Sequence, residues 1–373
     1  VKEYHLPDVA VQEWVLKNNG LNIVSKELAH INNQFIYPGN MEYNGLFHYQ
    51  DVGDMVDALA PQVPLWVQDA RKVLAGDEPA FDTGKQCNDP FECPFLSYCS
   101  PPQNASDLYP PEDLPRASRL AEALRSEGYE DLRDIPPERL ERAQHQRIHR
   151  AVLSGKPFLD QTAYRVISDL PYPRYYVDFE TIAFAVPIWK GTRPYQQLPF
   201  QWSCHVEREH GELVHIEYLA EGPYDARREF AEQLLHAVGD EGPIVVYNAA
   251  FERTRMRELA TAYPDLAERL EAAISRIFDL LPVARDYYYH PDMHGSWSIK
   301  AVLPTIAPDL DYAELEVADG GMAQDAYLRL YHSNTDESEQ TILRKALLRY
   351  CELDTLAMVK IANYFQHRDV DAS

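Results

Sequence analysis

No apolar run in the 373 residues reaches the length of a membrane-spanning helix. No segment has the charged, apolar and small-residue order of a secretory signal. These absences predict a cytoplasmic protein without a membrane partner. Internal repeats and long low-complexity tracts are also missing. Cysteine is scarce: Cys87, Cys93, Cys99, Cys204 and Cys351. An odd count with three thiols inside thirteen residues does not make a disulfide framework, and it fits a reducing compartment. Basic residues are few, 35 Lys and Arg against 59 Asp and Glu, for a formal charge of −24. So acidic a chain repels polyphosphate at long range, which speaks against a passive nucleic-acid coat. It leaves room for a nuclease that captures one strand end through metal ions and local Lys or Arg. Otherwise the acidity reads as a solubility or high-salt trait. The chain opens on Val1 and not Met, so a fragment or a processed form is expected.

What is present is ordinary for a globular protein: 45% apolar and 25% charged residues. The length predicts two or three domains. Residues 1–80 read as mixed α/β, with helical spacing over Asp8–Asn18 and again over Val67–Leu74, ending near Gly76. Cys87–Cys99 reads as a loop rich in proline and aromatics. Pro101, Pro102, Pro110, Pro111 and Pro115 mark residues 100–115 as a linker. Residues 116–155 read as helices, with Leu120, Ala123 and Leu124 on one face. Gly128 and the Pro136–Pro137 pair place a junction of two helices between Leu124 and Leu140. That junction is either a hairpin touching a nucleic-acid backbone or a packing bridge.

From Tyr172 the pattern changes. Arg174–Ile182, Phe200–Val206 and Val214–Leu219 read as strands, Ala226–Val238 as an amphipathic helix, and Ile244–Tyr247 as a short apolar strand. Helical regions follow at about Phe251–Tyr263 and Ser338–Phe365. This order predicts a layered α/β domain. Asp178 and Glu180 lie two apart in the first strand and share one face. Two acids amid large apolar neighbours need partners, because burying unpaired charge is costly. Metal coordination is one resolution; an Arg partner or an exposed strand end is another. VVYNAAFE places Asn248 and Glu252 where a strand gives way to a helix, and Asn248 there could cap the helix. RYCELDT places Tyr350 and Asp354 one helical turn apart on a shared face.

In this order, Asp-x-Glu, Asn-x-x-x-acid and Tyr-x-x-x-Asp resemble the tyrosine-containing subgroup of the DEDD exonuclease superfamily, over about residues 172–365. The resemblance implies an RNase H-like mixed sheet flanked by helices and a 3′→5′ exonuclease acting on single-stranded DNA or RNA ends. It implies Asp178, Glu180 and Asp354 as ligands of two Mg²⁺ or Mn²⁺ ions, and Tyr350 as the group orienting the attacking water. Such ions sit about 3.5–4 Å apart and serve both ends of an in-line displacement, and hard cations want oxygen ligands. Where the family carries Asp in its second motif, this chain has Glu252. Either its longer side chain reaches the site or another acid replaces it, with Asp279 as the substitute. The alternatives are a catalytically inactive binding module and a phosphoesterase of small nucleotides. Arg193, with Tyr195, Phe200 and Trp202, could form the wall of a strand-end pocket, although Phe200 and Trp202 read better as core. Asn248 and Lys300 are further substrate-binding candidates.

In the N-terminal half, Cys87, Cys93 and Cys99 suit a metal or iron–sulfur centre that lacks its fourth ligand, with structural zinc or three unliganded thiols as the other readings. Their arrangement, together with Gln12 in DVAVQEWVL, resembles RecB-like PD-(D/E)XK nucleases that carry a 4Fe-4S cluster. That family's Asp and Glu-x-Lys site precedes the Gln helix, with Lys2 as a candidate remnant of the Lys. The expectation is therefore a truncated domain without activity of its own. The division expected is 1–100 for the end of a RecB-like domain, 101–171 for a Pro-rich linker and helical connector, and 172–367 for the exonuclease domain. YYVDFET, RPYQQLPFQWSCH and GSWSIKAVLP resemble a bacterial family joining these two nuclease types.

Overall fold

The computed structural model describes residues 1–81, 83–99, 108–310 and 315–367; Pro101 and Pro102 of the expected linker lie outside them. The chain packs as two compact units. One is Val1–Asp107 with Phe184–Tyr195; the other is Leu108–Ala183 with Gln196–Ser373.

The first unit carries α1 (His5–Asn18), β1 (Glu27–Ile31), β2 (Phe47–Asp51), α2 (Gly53–Leu59), α3 (Val63–Ala75) and the single turn α4 (Leu96–Cys99). β1 and β2 pair antiparallel. Ala10, Val52, Val56 and Val63 form a small core. Glu13 is buried yet charged, because Lys17 and Lys26 reach it at 2.7 and 2.8 Å. The segment Phe184–Tyr195 is stitched into this unit by the amide of Tyr37 on the Thr192 carbonyl (2.9 Å) and of Gly191 on the Tyr37 carbonyl (2.8 Å).

The second unit begins with α5 (Ser118–Ser126), α6 (Ala143–Ser154), β3 (Phe158–Leu159) and α7 (Gln161–Ser168). Its sheet and helices follow: β4 (Arg174–Ala183), β5 (Gln197–Glu207), β6 (Leu213–Leu219), α8 (Arg227–Val238), β7 (Ile244–Val246), α9 (Ala250–Ala262), α10 (Ala267–Ser275), β8 (Ile277–Asp279), α11 (Leu280–Tyr287), β9 (Tyr288–Tyr289), α12 (Ile299–Ile306), α13 (Gly320–Leu330) and α14 (Glu337–His367). The five-stranded sheet runs β6-β5-β4-β7-β8. The first three strands are antiparallel neighbours, and β7 and β8 run parallel to β4. Strand alternation sends side chains to both faces. Val177, Phe179, Trp202 and Cys204 join α8, α9 and α10 in one core. Tyr176 and Val245 join α14 and the connector in the other. Among the described residues, no helix is long and apolar enough to cross a membrane.

The structure differs from the sequence reading in two places. β8 has no strand signal of its own in the sequence: its three residues, Ile277–Asp279, run directly into α11. The connector is not a separate body: Leu114, Leu124, Leu132, Ile135 and Leu140 belong to the core of the second unit. The half of the linker from Leu108 on packs there too, with Pro111 and Asp113 buried. Between α5 and α6 the chain makes two single 3₁₀ turns, Leu132–Asp134 and Pro137–Arg139. Gly295 closes this packing. Its φ is +71°, and a Cβ there would meet the Asp113 carbonyl oxygen at 1.9 Å.

Arg174 fastens the sheet to its helical cover. Its fully buried guanidinium lies 3.6 Å from Glu207. It donates to the carbonyls of Ile167 (3.0 Å) and Leu170 (3.2 Å from Nε), and to Oε1 of Gln366 on α14 (2.8 Å). The Tyr176 hydroxyl donates to Glu207 at 2.8 Å. Removing one member of such a pair strands the other charge. Arg174→Met is therefore expected to lower unfolding stability in urea by about 3 kcal/mol, and adding Glu207→Gln is expected to restore part of it. An unchanged urea midpoint in Arg174→Met would contradict this account.

Candidate metal centre

Asp178 and Glu180 project from β4 on the face covered by α14. Glu252 sits in the first turn of α9. Tyr350 and Asp354 lie one turn apart on α14. These are the residues singled out in the sequence, and the second unit brings them together. Glu180, Glu252, Tyr350 and Asp354 are buried; Asp178 is half-buried. The Asp178 carboxyl is pushed well above the carboxylate range, first by burial and then by the charges of Asp354, Glu180 and Glu252. Burial and Asp354 raise Glu180 to about 8. Burial raises Glu252 to about 8 as well, with Asp279 adding to it. The Tyr350 phenol is pushed up by burial, then by Asp354, Glu180 and Asp178, and so keeps its proton.

Several contacts hold this geometry. Ser203 lies opposite Asp178 in the β4–β5 register. Its hydroxyl bonds that of Thr355 at 2.8 Å, and His205 Nδ1 bonds the same Thr355 hydroxyl at 2.8 Å. Burial lowers His205 to about 4, so it stays neutral. Gln201 donates to the Leu347 carbonyl at 2.8 Å. Thr355 and Leu347 flank the Tyr350–Asp354 turn, so these bonds set where α14 presents it.

Lys300, on α12, has its ammonium 5.4 Å from the centre of the Tyr350 ring, and its charge favours the ionised form of Glu180. It also donates to the Ala318 carbonyl. Asn248 is exposed in the turn after β7, with φ +75°. It does not cap α9 with its side chain. Asp279 does the structural work there: its carboxylate accepts from the amides of Asn248 (3.0 Å), Ala249 (3.1 Å) and Leu281 (3.1 Å). With its oxygens so engaged, Asp279 is a poor substitute for Glu252, whose charge acts on Asp178.

Arg193 and Tyr195 belong to the first unit and are exposed there. Phe200 and Trp202 are core: Phe200 stacks on Tyr327 with centroids 4.0 Å apart. Cys87 and Cys93 are partly buried and Cys99 is exposed. The grouping of metal-ligating atoms within 4.8 Å of one another, among the described residues, is Asp178, Glu180 and Cys351; the three N-terminal thiols do not form such a group. Gln12 bonds Asp8 on its own helix at 3.0 Å, and the Lys2 ammonium lies over the Tyr4 ring at 5.5 Å.

Sequence reading missed Cys351 and Asp319. The fully buried Cys351 thiol lies 3.7 Å from both the carbonyl and the carboxylate of Asp178. Burial and the neighbouring acids raise it well above its usual range, so it acts as a donor to Asp178. Its position between Tyr350 and Asp354 was the available signal. Asp319 caps α13 through the Met322 amide (2.8 Å), and its charge reaches Glu180. A Cβ on the next residue, Gly320, would lie 3.8 Å from Glu180 Oε2.

Glu180 and Glu252 ionise near 4.5 when free and near 8 in the folded chain. The folded state therefore binds more protons between these values. Their contribution to stability is complete below pH 4.5 and is lost as pH rises towards 8. In EDTA the thermal midpoint is expected to fall across this window, and Glu252→Gln is expected to flatten the fall and raise the midpoint at pH 8. Identical pH profiles for wild type and Glu252→Gln would refute this electrostatic picture.

Residues 175–298 match a family described as a domain of unknown function, DUF2779. The uncharacterized protein MG366 homolog of Mycoplasma pneumoniae is 31% identical over 206 residues, which cover 50% of this chain and 31% of that protein. The uncharacterized protein MG366 of Mycoplasma genitalium is 25% identical over 210 residues, 51% of this chain and 32% of that one. The uncharacterized protein UU173 of Ureaplasma parvum is 25% identical over 233 residues, 57% and 34% of the two. The chain spans about a third of the length of these curated relatives. No solved structure matches.

Proposed function

We propose that the second unit is a metal-dependent 3′→5′ exonuclease of the DEDD type on an RNase H-like sheet, cleaving phosphodiester bonds of single-stranded DNA or RNA. The observation that carries this reading is the convergence of Asp178, Glu180, Glu252 and Asp354 from β4, α9 and α14. Burying like charges is costly unless something binds them. The β6-β5-β4-β7-β8 order, with three antiparallel strands and two parallel ones, supports the same reading. Against a structural role for the acids stands Glu252: its Oε2 is buried and has no hydrogen-bond partner. A buried acceptor left open in this way suits a cation.

The donor set fits Mg²⁺ or Mn²⁺, which take carboxylate oxygens. Asp178, Glu180 and Asp354 would hold the ions, with Glu252 completing the charge. When bound, two such ions activate water and stabilise the leaving oxygen of the phosphodiester. The chain's own residues do the rest. Tyr350 keeps its proton and offers a hydroxyl that orients the attacking water. Lys300 puts a positive charge beside Glu180, where a phosphate oxygen would approach. Ser203, His205 and Thr355 keep α14 in register. A cytoplasmic setting belongs to the same proposal, because the odd number and clustering of the cysteines fit a reducing compartment. An inactive binding module is the competing reading. It rests on Glu252 standing where the family carries Asp.

The test uses 5′-labelled single-stranded DNA and RNA with Mn²⁺. A ladder shortening from the 3′ end is expected, abolished by EDTA and reduced at least about a hundredfold in Asp178→Asn and Asp354→Asn, since even outer-shell changes cost 10–100-fold. Tyr350→Phe is expected to slow turnover more than it weakens binding. Absence of cleavage by a folded chain across several metals would favour the inactive module.

A further inference from the structure

A cavity of about 660 Å³ opens in the second unit where α5 and α6 begin. Arg116, Arg119, Arg139 and Arg142 line it, with His145 and Glu141. Four arginines against one glutamate among the lining residues invert the balance of a chain whose formal charge is −24. Clustered like charges repel, so what neutralises them matters. Arg139 is held by Glu127, with Nη2 donating to Oε1 at 2.7 Å and Nη1 donating to Oε2. Arg142 donates to the Arg116 carbonyl at 3.2 Å, which supplies no formal counter-charge. Arg116 and Arg119 are exposed, and among the described residues no acid pairs with either guanidinium. His145 is 2% exposed and is fixed by a 3.0 Å bond from Nε2 to the Pro115 carbonyl. Arg116 itself holds a left-handed backbone, φ +53°, a conformation uncommon for a residue other than glycine. Neither helix has a side-chain cap, so their first amides add positive potential to the cavity.

We propose that this cavity binds the phosphodiester backbone of a single-stranded nucleic acid, with Arg116 and Arg119 as its phosphate-contacting side chains. Guanidinium forks match phosphate oxygens two at a time. The acidic remainder of the chain repels a strand, so a local cationic cavity confines where the backbone is held. The anion site rests on the arginines; choosing a nucleic acid among phosphate bearers rests on the exonuclease reading.

The experiment measures binding of fluorescent oligothymidylate and oligouridylate to the full chain in EDTA, over a series of salt concentrations, with inorganic pyrophosphate as competitor. Arg116→Gly and Arg119→Ala are combined, because glycine favours the left-handed backbone and alanine favours the helix; urea unfolding checks that the fold is kept. The double variant is expected to bind at least about tenfold more weakly. Its slope of log K against log salt should be shallower by about 0.7 for each lost phosphate contact. Equal binding by wild type and double variant overturns the proposal. Failure of the wild-type chain to bind either oligonucleotide does so too, as does binding of pyrophosphate alone. Cleavage with Mn²⁺ is read separately. Arginine-dependent binding without hydrolysis would sink the exonuclease reading and leave this one standing; hydrolysis with arginine-independent binding would do the reverse.

Discussion

The second unit is organised around a cost: acidic side chains of the same sign, held close together and largely out of water. Asp178 and Glu180 come from one strand, Glu252 from the start of a helix, and Asp354 from the last helix of the unit. Each raises the proton affinity of a neighbour. A fold tolerates this only if other interactions overdetermine the position of every element involved. Here they do. Arg174 ties β4 to α7 and α14, Gln201 ties β5 to α14, and the Ser203–Thr355–His205 bonds lock the same helix a residue beyond Asp354.

The two faces of the sheet divide the labour. The face carrying Val177, Phe179, Trp202 and Cys204 is apolar and packs on α8, α9 and α10. The face carrying Asp178, Glu180, Gln201, Ser203 and His205 is polar yet covered by α14. Burying a polar face gains less than burying an apolar one and demands specific partners. The partners found are side chains and carbonyls of α14, so hydrogen bonds act together with the apolar packing of Met358, Ile361 and Phe365 in fixing this helix.

Charge is distributed unevenly over the unit. Where carboxylates converge, a cation is the natural counterpart; where Arg116, Arg119, Arg139 and Arg142 converge, an anion is. The connector that supplies the arginines is part of the core through Leu124, Leu132 and Leu140. Its cavity is therefore built on a fixed support, not on a free linker.

Much of this was legible in the residues. Alternation around Tyr175–Ile182 announced a strand with both acids on one face, and the i, i+4 spacing of Tyr350 and Asp354 announced a shared helical face. Both follow from local geometry, period 2 and period 3.6, which the chain imposes without reference to the rest of the fold. Local patterns also placed Glu252 at the start of a helix. Other features had no local signature. β8 is three residues long, too short for any period, and exists because β7 offers it an edge. Asp279 looked like a substitute ligand until the amides of Asn248, Ala249 and Leu281 were found on its oxygens. Cys351 became a neighbour of Asp178 through a contact 173 residues apart in the chain. The Pro-rich segment looked like a linker because proline disrupts regular structure wherever it stands, but burial from Pro111 onward depends on the surface it meets. By itself the sequence determined which residues face together along each element; the tertiary structure decided which elements meet, because that depends on long-range packing and on the partners that buried polar groups such as Arg174, Gln201 and Ser203 find on distant segments.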